Sequence, residues 1–350
     1  MDTVIINAYD NDNIDSELEM AGNILKDGGI VAFPTETVYG LGGDALNPSS
    51  SKKIYEAKGR PSDNPLIVHI AEFDKIYAIC KEVPESAIKL ANKFWPGPLT
   101  MILKKSDEVP FETTGGLDTV AVRMPVHEVA QKFIAYAGGY VAAPSANISG
   151  RPSPTCAKYV IEDMNGRANA IIDGGDSDIG LESTIVDLTG EIPMLLRPGY
   201  ITLEDLREVL GKVETDKTIL GGNAVGRPKA PGMKYRHYAP KGDLTIVNGE
   251  NEKVVAYIND ELNKVLNEGG KKTGVITTDE NAGRYISDSV KSLGKRNDEK
   301  SIARNLFRVL REFDDEGVDI IFTESFALEG ISQATMNRLL KAAGHKEVNL

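Results

Sequence analysis

Short runs of Val, Ile and Leu alternate along the chain with stretches whose apolar residues recur every three or four positions, the mark of strands exchanging with amphipathic helices. The pattern predicts strands at Val4–Asn7, Ile30–Phe33, Leu66–Ile70, Leu99–Leu103, Val120–Arg123, Val141–Ala143, Ile171–Asp173, Thr184–Asp187 and Met194–Leu196. It predicts helices at Asp15–Asp27, Ser50–Ala57, Glu85–Phe94, His127–Tyr136 and Leu203–Leu210. Gly28-Gly29 stops the first helix and Pro96 follows the third, as chain-terminating residues should. An α/β domain with many strands and frequent Gly/Pro turns is expected over residues 1–210.

Between residues 211 and 240 the periodicity lapses into Gly-Gly, Gly-Arg-Pro, Ala-Pro-Gly and Ala-Pro, which predicts an extended linker. The alternation then restarts, with strands at Leu244–Val247, Gly274–Thr277 and Val318–Phe322 and helices at Lys253–Leu266, Ile302–Phe313 and Thr335–Ala343. That spacing predicts a smaller α/β domain on a mostly parallel sheet over residues 241–350. A length of 350 residues also favours two cores over one.

Charge sharpens the division. Residues 1–210 carry 18 Lys and Arg against 31 Asp and Glu, and residues 241–350 carry 16 against 19. Residues 211–240 reverse the sign, with 6 against 2, and include Lys234, Tyr235, Arg236 and Tyr238. A basic, tyrosine-bearing segment in a chain of net charge −12 suits a flap over an anionic ligand; a solvated tether is the plainer alternative. The overall acidity disfavours a protein that lives by gripping nucleic-acid backbone. Cys80 and Cys156 are the only cysteines, too few for a disulfide framework or a Cys-rich zinc site. The first residues lack a basic region followed by an apolar one, and no run of about 18 apolar residues occurs, so a cytoplasmic protein without membrane contact is expected. Asn147-Ile148-Ser149 matches a glycosylation triplet that such a location leaves unused.

The chemistry-bearing residues gather beside strand ends. Thr35, Glu36 and Thr37 follow Phe33-Pro34, with Gly40 and Gly42 permitting close backbone approach. Lys58 and Arg60 sit two residues apart in Lys-Gly-Arg-Pro, a stiff turn that suits an anion held between a point charge and a bidentate fork. Ser145 and Asn147 point the same way at i, i+2 after a small-residue strand. Arg123, Glu182-Ser183 and Arg197 add polar groups at three further strand boundaries. Together they imply one polar crevice for an anionic substrate. His69 follows Ile67-Val68 and is as well suited to structure as to ligand contact; His127 reads as helix surface and His345 as tail. Neither a P-loop nor GxGxxG, GxSxG or HExxH is present.

The strings FPTETVYGLG, KGRPSDNPL, WPGPLT, RMP, APSANISG, ESTIVDL and LRPG, in this order and spacing, resemble the YrdC family of threonylcarbamoyl-AMP synthases. APGMKYRHYAP and the tail beyond it resemble the family's long, two-domain form. The resemblance covers essentially the whole chain. It implies a YrdC-like twisted mixed sheet flanked by helices, plus a smaller Rossmann-like α/β C-terminal domain. The implied reaction joins L-threonine, bicarbonate (or CO2) and ATP into L-threonylcarbamoyl-AMP and releases pyrophosphate, with Mg²⁺ accompanying ATP. A partner tRNA threonylcarbamoyl transferase would then use the product to modify tRNAs reading A-starting codons, and weak direct contact with tRNA is compatible with that role. Carried over by position, Lys58, Arg60, Asn64, Thr119, Ser145, Asn147, Ser153, Arg197 and Tyr235 are ATP contacts, with Lys58, Arg60 and Arg197 catalytic. Thr37, His69, Arg123, Ala143 (through its backbone) and Ser183 form the threonine pocket. Two other readings exist: an RNA-binding module without catalysis, and carbamoyl transfer as in hydrogenase maturation. The first conflicts with the acidic first domain and the second with the two cysteines.

Overall fold

A computed structural model describes residues 2–9, 13–220, 228–230 and 237–350. The chain divides into two compact units: residues 1–149, 153–178 and 182–234, and residues 150–152, 179–181 and 235–350.

The first unit opens with β1 (Val4–Asn7), α1 (Ile14–Lys26), β2 (Val31–Phe33), β3 (Gly40–Asp44) and α2 (Pro48–Lys58). There follow β4 (Ile67–His69), α3 (Ile76–Ile79), α4 (Glu85–Phe94), β5 (Leu99–Lys104), β6 (Thr119–Arg123) and α5 (Glu128–Tyr136). It closes with β7 (Val141–Ala143), α6 (Ala157–Met164), β8 (Ala170–Asp173), β9 (Thr184–Asp187), β10 (Met194–Arg197), α7 (Leu203–Leu210) and β11 (Glu214–Thr215). Eleven strands form one mixed sheet in the order β1-β8-β2-β3-β7-β4-β6-β5-β9-β10-β11.

Strands from β2 to β10 are buried on both faces of the sheet, and three apolar clusters account for this, the third joining Ile67, Ile102, Ala121, Ile185 and Leu196. Ala32, Leu41, Val68, Met101 and Val122 belong to the first, Val31, Phe33, Val141 and Ala143 to the second. Two-sided burial is why the strands read as continuous Val/Ile runs rather than alternating ones. Short strands at the centre of the sheet bring its polar ends together. On β4, Ile67 lies beside Ala121 of β6 and Ala143 of β7, while His69 lies beside Arg123 and Val141. The amino end of β4 therefore faces the loop after β7, and its carboxyl end faces the end of β6.

Glycine shapes β3, which the hydrophobic pattern does not reveal. Cβ atoms at Gly40 and Gly42 would lie 2.9 and 2.7 Å from the Phe33 ring and the Val141 side chain, so the strand packs there only without side chains. The stretch expected to be an extended linker starts differently too: β11 pairs parallel with β10 at Met194↔Glu214, followed by a 3₁₀ turn at Lys217–Leu220. Farther along it, Ala230 packs with Ile67, Ala121 and Leu196, and Lys229 Nζ meets Asp187 Oδ2 at 3.2 Å.

The second unit contains β12 (Asp243–Asn248), α8 (Asn251–Glu268), β13 (Thr273–Thr277), β14 (Ser289–Ser292), α9 (Glu299–Glu316), β15 (Ile320–Glu324), α10 (Gly330–Ala342) and β16 (Glu347–Asn349). All five strands run parallel, in the order β14-β13-β15-β12-β16. Parallel strands joined through helices bear out the expected Rossmann-like character. No helix among the described residues is long and apolar enough to cross a membrane.

Candidate active site

Helix α2 delivers the first cation. Asn47 caps its start through Ser49 N, and Gly59 ends it in the left-handed conformation (φ 62°), where only glycine is unstrained. The termination turns Lys58 inward. Its side chain is 1% exposed, and Nζ donates to Ser145 O at 2.5 Å, to Asn147 O and to Asn147 Oδ1 at 3.4 Å. Ser145 Oγ donates to the same Asn147 Oδ1 at 2.5 Å, confirming that these two side chains share a direction. The loop is stapled from both sides, by Ser149 N to Lys58 O at 2.9 Å and by Ala146 N to Tyr39 O at 2.8 Å.

Past the cap, Arg60 is buried and Nη2 donates to the carbonyls of Asn64 and Pro65 at 3.4 and 3.3 Å. Asn64 is 1% exposed and its Oδ1 accepts no hydrogen bond from a described residue. A buried amide oxygen without a donor carries a desolvation cost that a ligand donor would relieve. Thr119 opens β6 beside Lys104, four residues from Arg123 and so at the opposite end of that strand.

At the carboxyl ends of β4 and β6 lies a second polar group. Arg123, 4% exposed, is held three ways: Nη2 to Glu36 Oε1 at 2.6 Å, Nη1 to Thr37 Oγ1 at 2.8 Å and Nε to Gly97 O at 3.4 Å. Thr35 Oγ1 lies 2.9 Å from Thr37 Oγ1 and donates to Val38 O at 2.7 Å, locking the loop. Three of the five guanidinium N–H groups are thereby assigned, leaving two for a ligand. Glu36 Oε2 is buried and accepts from no described residue.

His69 sits beside this pair. Its Nδ1 lies 3.0 Å from Ile67 O, and because a carbonyl only accepts, Nδ1 carries the proton. Burial first, then the Arg123 charge, lower its pKa to about 3 against the opposing pull of hydrogen bonds to the Ile67 and Val141 backbone, so the ring is neutral at ordinary pH. Phe33 packs edge-on against it at 5.7 Å.

Ser183 and Arg197 meet at the start of β9 and the end of β10. Arg197 Nε donates to Ser183 O at 3.0 Å and Nη2 to Ser183 Oγ at 3.1 Å, while Thr100 Oγ1 lies 2.7 Å from the same Ser183 oxygen. Thr100 pairs with Arg123 across the β5–β6 ladder, which makes the Arg197–Ser183 group contiguous with the Arg123 group. Thr100 escaped the sequence reading because it lies inside an apolar strand run. Ser153 Oγ donates to Glu182 Oε1 at 2.6 Å.

The sequence-derived residues thus form three bonded sets, Lys58–Ser145–Asn147, Thr37–Glu36–Arg123 and Ser183–Arg197, the last joined by Thr100. Loop 34–40 joins the first two, contacting Arg123 through Thr37 and Ala146 through Tyr39. Ala143 is bound into the β7 ladder opposite Ile67. Tyr235 lies outside the described residues, as do Lys234 and Arg236. His127 needs correcting. Instead of helix surface it occupies the residue before α5, half-buried with Nδ1 wholly enclosed. Burial lowers its pKa against the opposing pull of Glu36; the chain turns inward between β6 and α5, which periodicity alone does not disclose.

Comparison with known proteins places this geometry. The Sua5/YciO/YrdC family model, described as "Telomere recombination", matches residues 23–199. The model of the threonylcarbamoyl-AMP synthase C-terminal domain matches residues 201–344. The threonylcarbamoyl-AMP synthase of Pyrococcus abyssi is 49% identical, covering 99% of this chain and 100% of its own length. That of Bacillus subtilis is 47% identical over 95% of both chains. The crystal structure of P. abyssi Sua5 complexed with L-threonine superposes with a TM-score of 0.93 at 47% identity, covering 100% of each chain. The chain is therefore an enzyme of the Sua5/YrdC family, in its two-domain form.

Proposed function

We propose that this enzyme condenses L-threonine, bicarbonate (or CO2) and ATP into L-threonylcarbamoyl-AMP with release of pyrophosphate. The observation that carries the reading is the buried Arg123, whose three bonds to described residues leave two N–H groups with which to meet a carboxylate. Threonine's α-carboxylate meets that requirement, and the relative of known structure was crystallised with L-threonine. His69, neutral, and Ser183, with Thr37 and the Ala143 backbone, would surround the amino-acid side chain.

The chemistry requires no protein nucleophile. Threonine's free amine adds to bicarbonate and water leaves, giving a carbamate. A carbamate oxygen then attacks the α-phosphorus as the bond to the pyrophosphate oxygen breaks. The protein's task is to hold two anions together and spread the charge on the phosphates. Lys58, Arg60 and Arg197 would serve the phosphates, with Ser145, Asn147, Asn64, Thr119 and Ser153 fixing the nucleotide. Two chemically distinct polar groups flanking three-residue strands are set about 7 Å apart along β4, close enough for one acyl-adenylate to span.

Mg²⁺ would accompany ATP, held chiefly by its phosphate oxygens and water; among the described residues no three His, Cys, Asp or Glu side chains gather to hold an ion. We assign the product to tRNA modification through a separate transferase in the cytoplasm, on the strength of the family.

Pyrophosphate release from ATP tests the proposal. It should require both L-threonine and bicarbonate, and Lys58→Met should lower it at least about a hundredfold. Release that ignores either co-substrate would overturn it.

A further inference from the structure

The parallel sheet of the second unit has a crevice at the carboxyl ends of its strands, where open α/β sheets bind ligands. A cavity of about 240 Å³ opens there among Asn251, Glu280, Asn281, Arg296, Glu324 and Ser325. Its floor is a built charge network. Glu324 is 2% exposed and accepts from Thr277 Oγ1, from Asn281 Nδ2 at 2.9 Å, from Tyr285 Oη at 2.7 Å and from Arg296 Nη2. Arg296 Nη1 also donates to Ser325 O at 3.3 Å, and the guanidinium lies 5.7 Å over the Phe326 ring. These contacts fix the arginine and leave three of its N–H groups unassigned. Glu280, on the same lining, accepts the Arg296 backbone N–H, at 3.1 Å to each oxygen. Asn251 begins α8, whose capping position has no side-chain hydrogen bond, so the helix adds donors on the same wall as its positive end.

Size and charge narrow the occupant. The volume falls below the range of pockets for drug-sized ligands, about 300–1,000 Å³, and Val254 is the one large apolar side chain on the lining, so a nucleobase has neither room nor an aromatic platform. Two carboxylates against one guanidinium disfavour a phosphate, and the guanidinium disfavours a metal ion. A ligand carrying both an anionic and a cationic group satisfies the guanidinium and the Glu280 carboxylate at once. We propose that this cavity binds a small zwitterion, an α-amino acid with a small polar side chain, its carboxylate on Arg296 and the start of α8 and its ammonium on Glu280.

Equilibrium dialysis of the full-length protein with glycine, L-serine and L-asparagine tests this; L-threonine is left out because the first unit is expected to take it. The expected result is saturable 1:1 binding of at least one of the three, with no competition from inorganic phosphate and none of the N-acetylated form bound. Arg296→Gln, which removes the carboxylate partner, and Ser325→Phe, which fills the cavity while keeping the backbone carbonyl that Arg296 meets, should each weaken it at least about tenfold. Should one variant fail to fold by circular dichroism, the other decides. No saturable binding up to about 10 mM, equal binding of phosphate, or an affinity unchanged in the folded variants overturns the proposal.

Discussion

Arg123 and Glu36 form a salt bridge in which both side chains are almost wholly buried. Breaking such a pair from one side leaves a charge stranded, at a cost of about 3–5 kcal/mol, whereas removing both partners is nearly neutral. Arg123→Met should therefore lose about that much stability in urea denaturation, and Arg123→Met with Glu36→Leu should regain most of it. On the proposed function neither variant should make product, because the proposed carboxylate anchor is gone from both. Recovery of activity in the double variant would show that Arg123 serves the fold alone. His69 gives a second residue-scale test. With its folded pKa near 3 and an unfolded value near 6.5, the unfolded chain takes up a proton that the native state refuses. Stability is fully present above about pH 6.5 and falls as pH drops toward 3, by up to about 1.4 kcal/mol per pH unit for this one group. His127, also lowered, adds to the slope in the same sense. Between pH 6.5 and 5, His69→Gln should unfold with a visibly shallower pH dependence than the parent; an identical slope would remove the buried-neutral assignment.

Gly59 shows how one element's end places two functional cations. Its φ of 62° is needed to stop α2 between Lys58 and Arg60, and the space where a Cβ would sit is open. Gly59→Ala should cost about 1 kcal/mol from backbone strain alone, measured as a lowered unfolding midpoint, and an unchanged midpoint would contradict the left-handed cap. This turn was legible in the sequence because Lys-Gly-Arg-Pro contains its own stop signals. So were the strands rich in Val and Ile, such as Val141–Ala143 and Thr184–Asp187, which the structure reproduces residue for residue. β3 was not legible: Gly-Leu-Gly-Gly-Asp has the composition of a turn and becomes a strand only because Phe33 and Val141 crowd its glycines. β14, Ser-Val-Lys-Ser, was hidden likewise, since its edge position leaves it half-buried and polar. α6 was missed because it follows a Pro- and Ser-rich loop without a side-chain cap.

At the scale of the whole molecule, each unit gathers polar side chains at the ends of its strands, and a family model matches each. The motifs were legible in the sequence down to individual residues, since Lys58, Ser145 and Asn147 do meet, as do Arg123 and Thr37. Their arrangement was not. Periodicity places a residue beside a strand end without saying which end, and the structure divides these residues between the two ends of β4 and β6. The basic segment around Tyr235, by contrast, was conspicuous from charge, and residues 231–236 lie outside those described. The proposed reaction makes a single demand on the product: it joins a threonine-derived carbamate to an adenylate. Reaction of the enzyme with ATP, L-threonine and ¹³C-bicarbonate, quenched early and read by mass spectrometry, tests this directly. The predicted result is an adenylate containing threonine and one added carbon, heavier by one mass unit with the labelled bicarbonate. An adenylate without that carbon, or ATP cleavage with no threonine-containing adenylate, would contradict it.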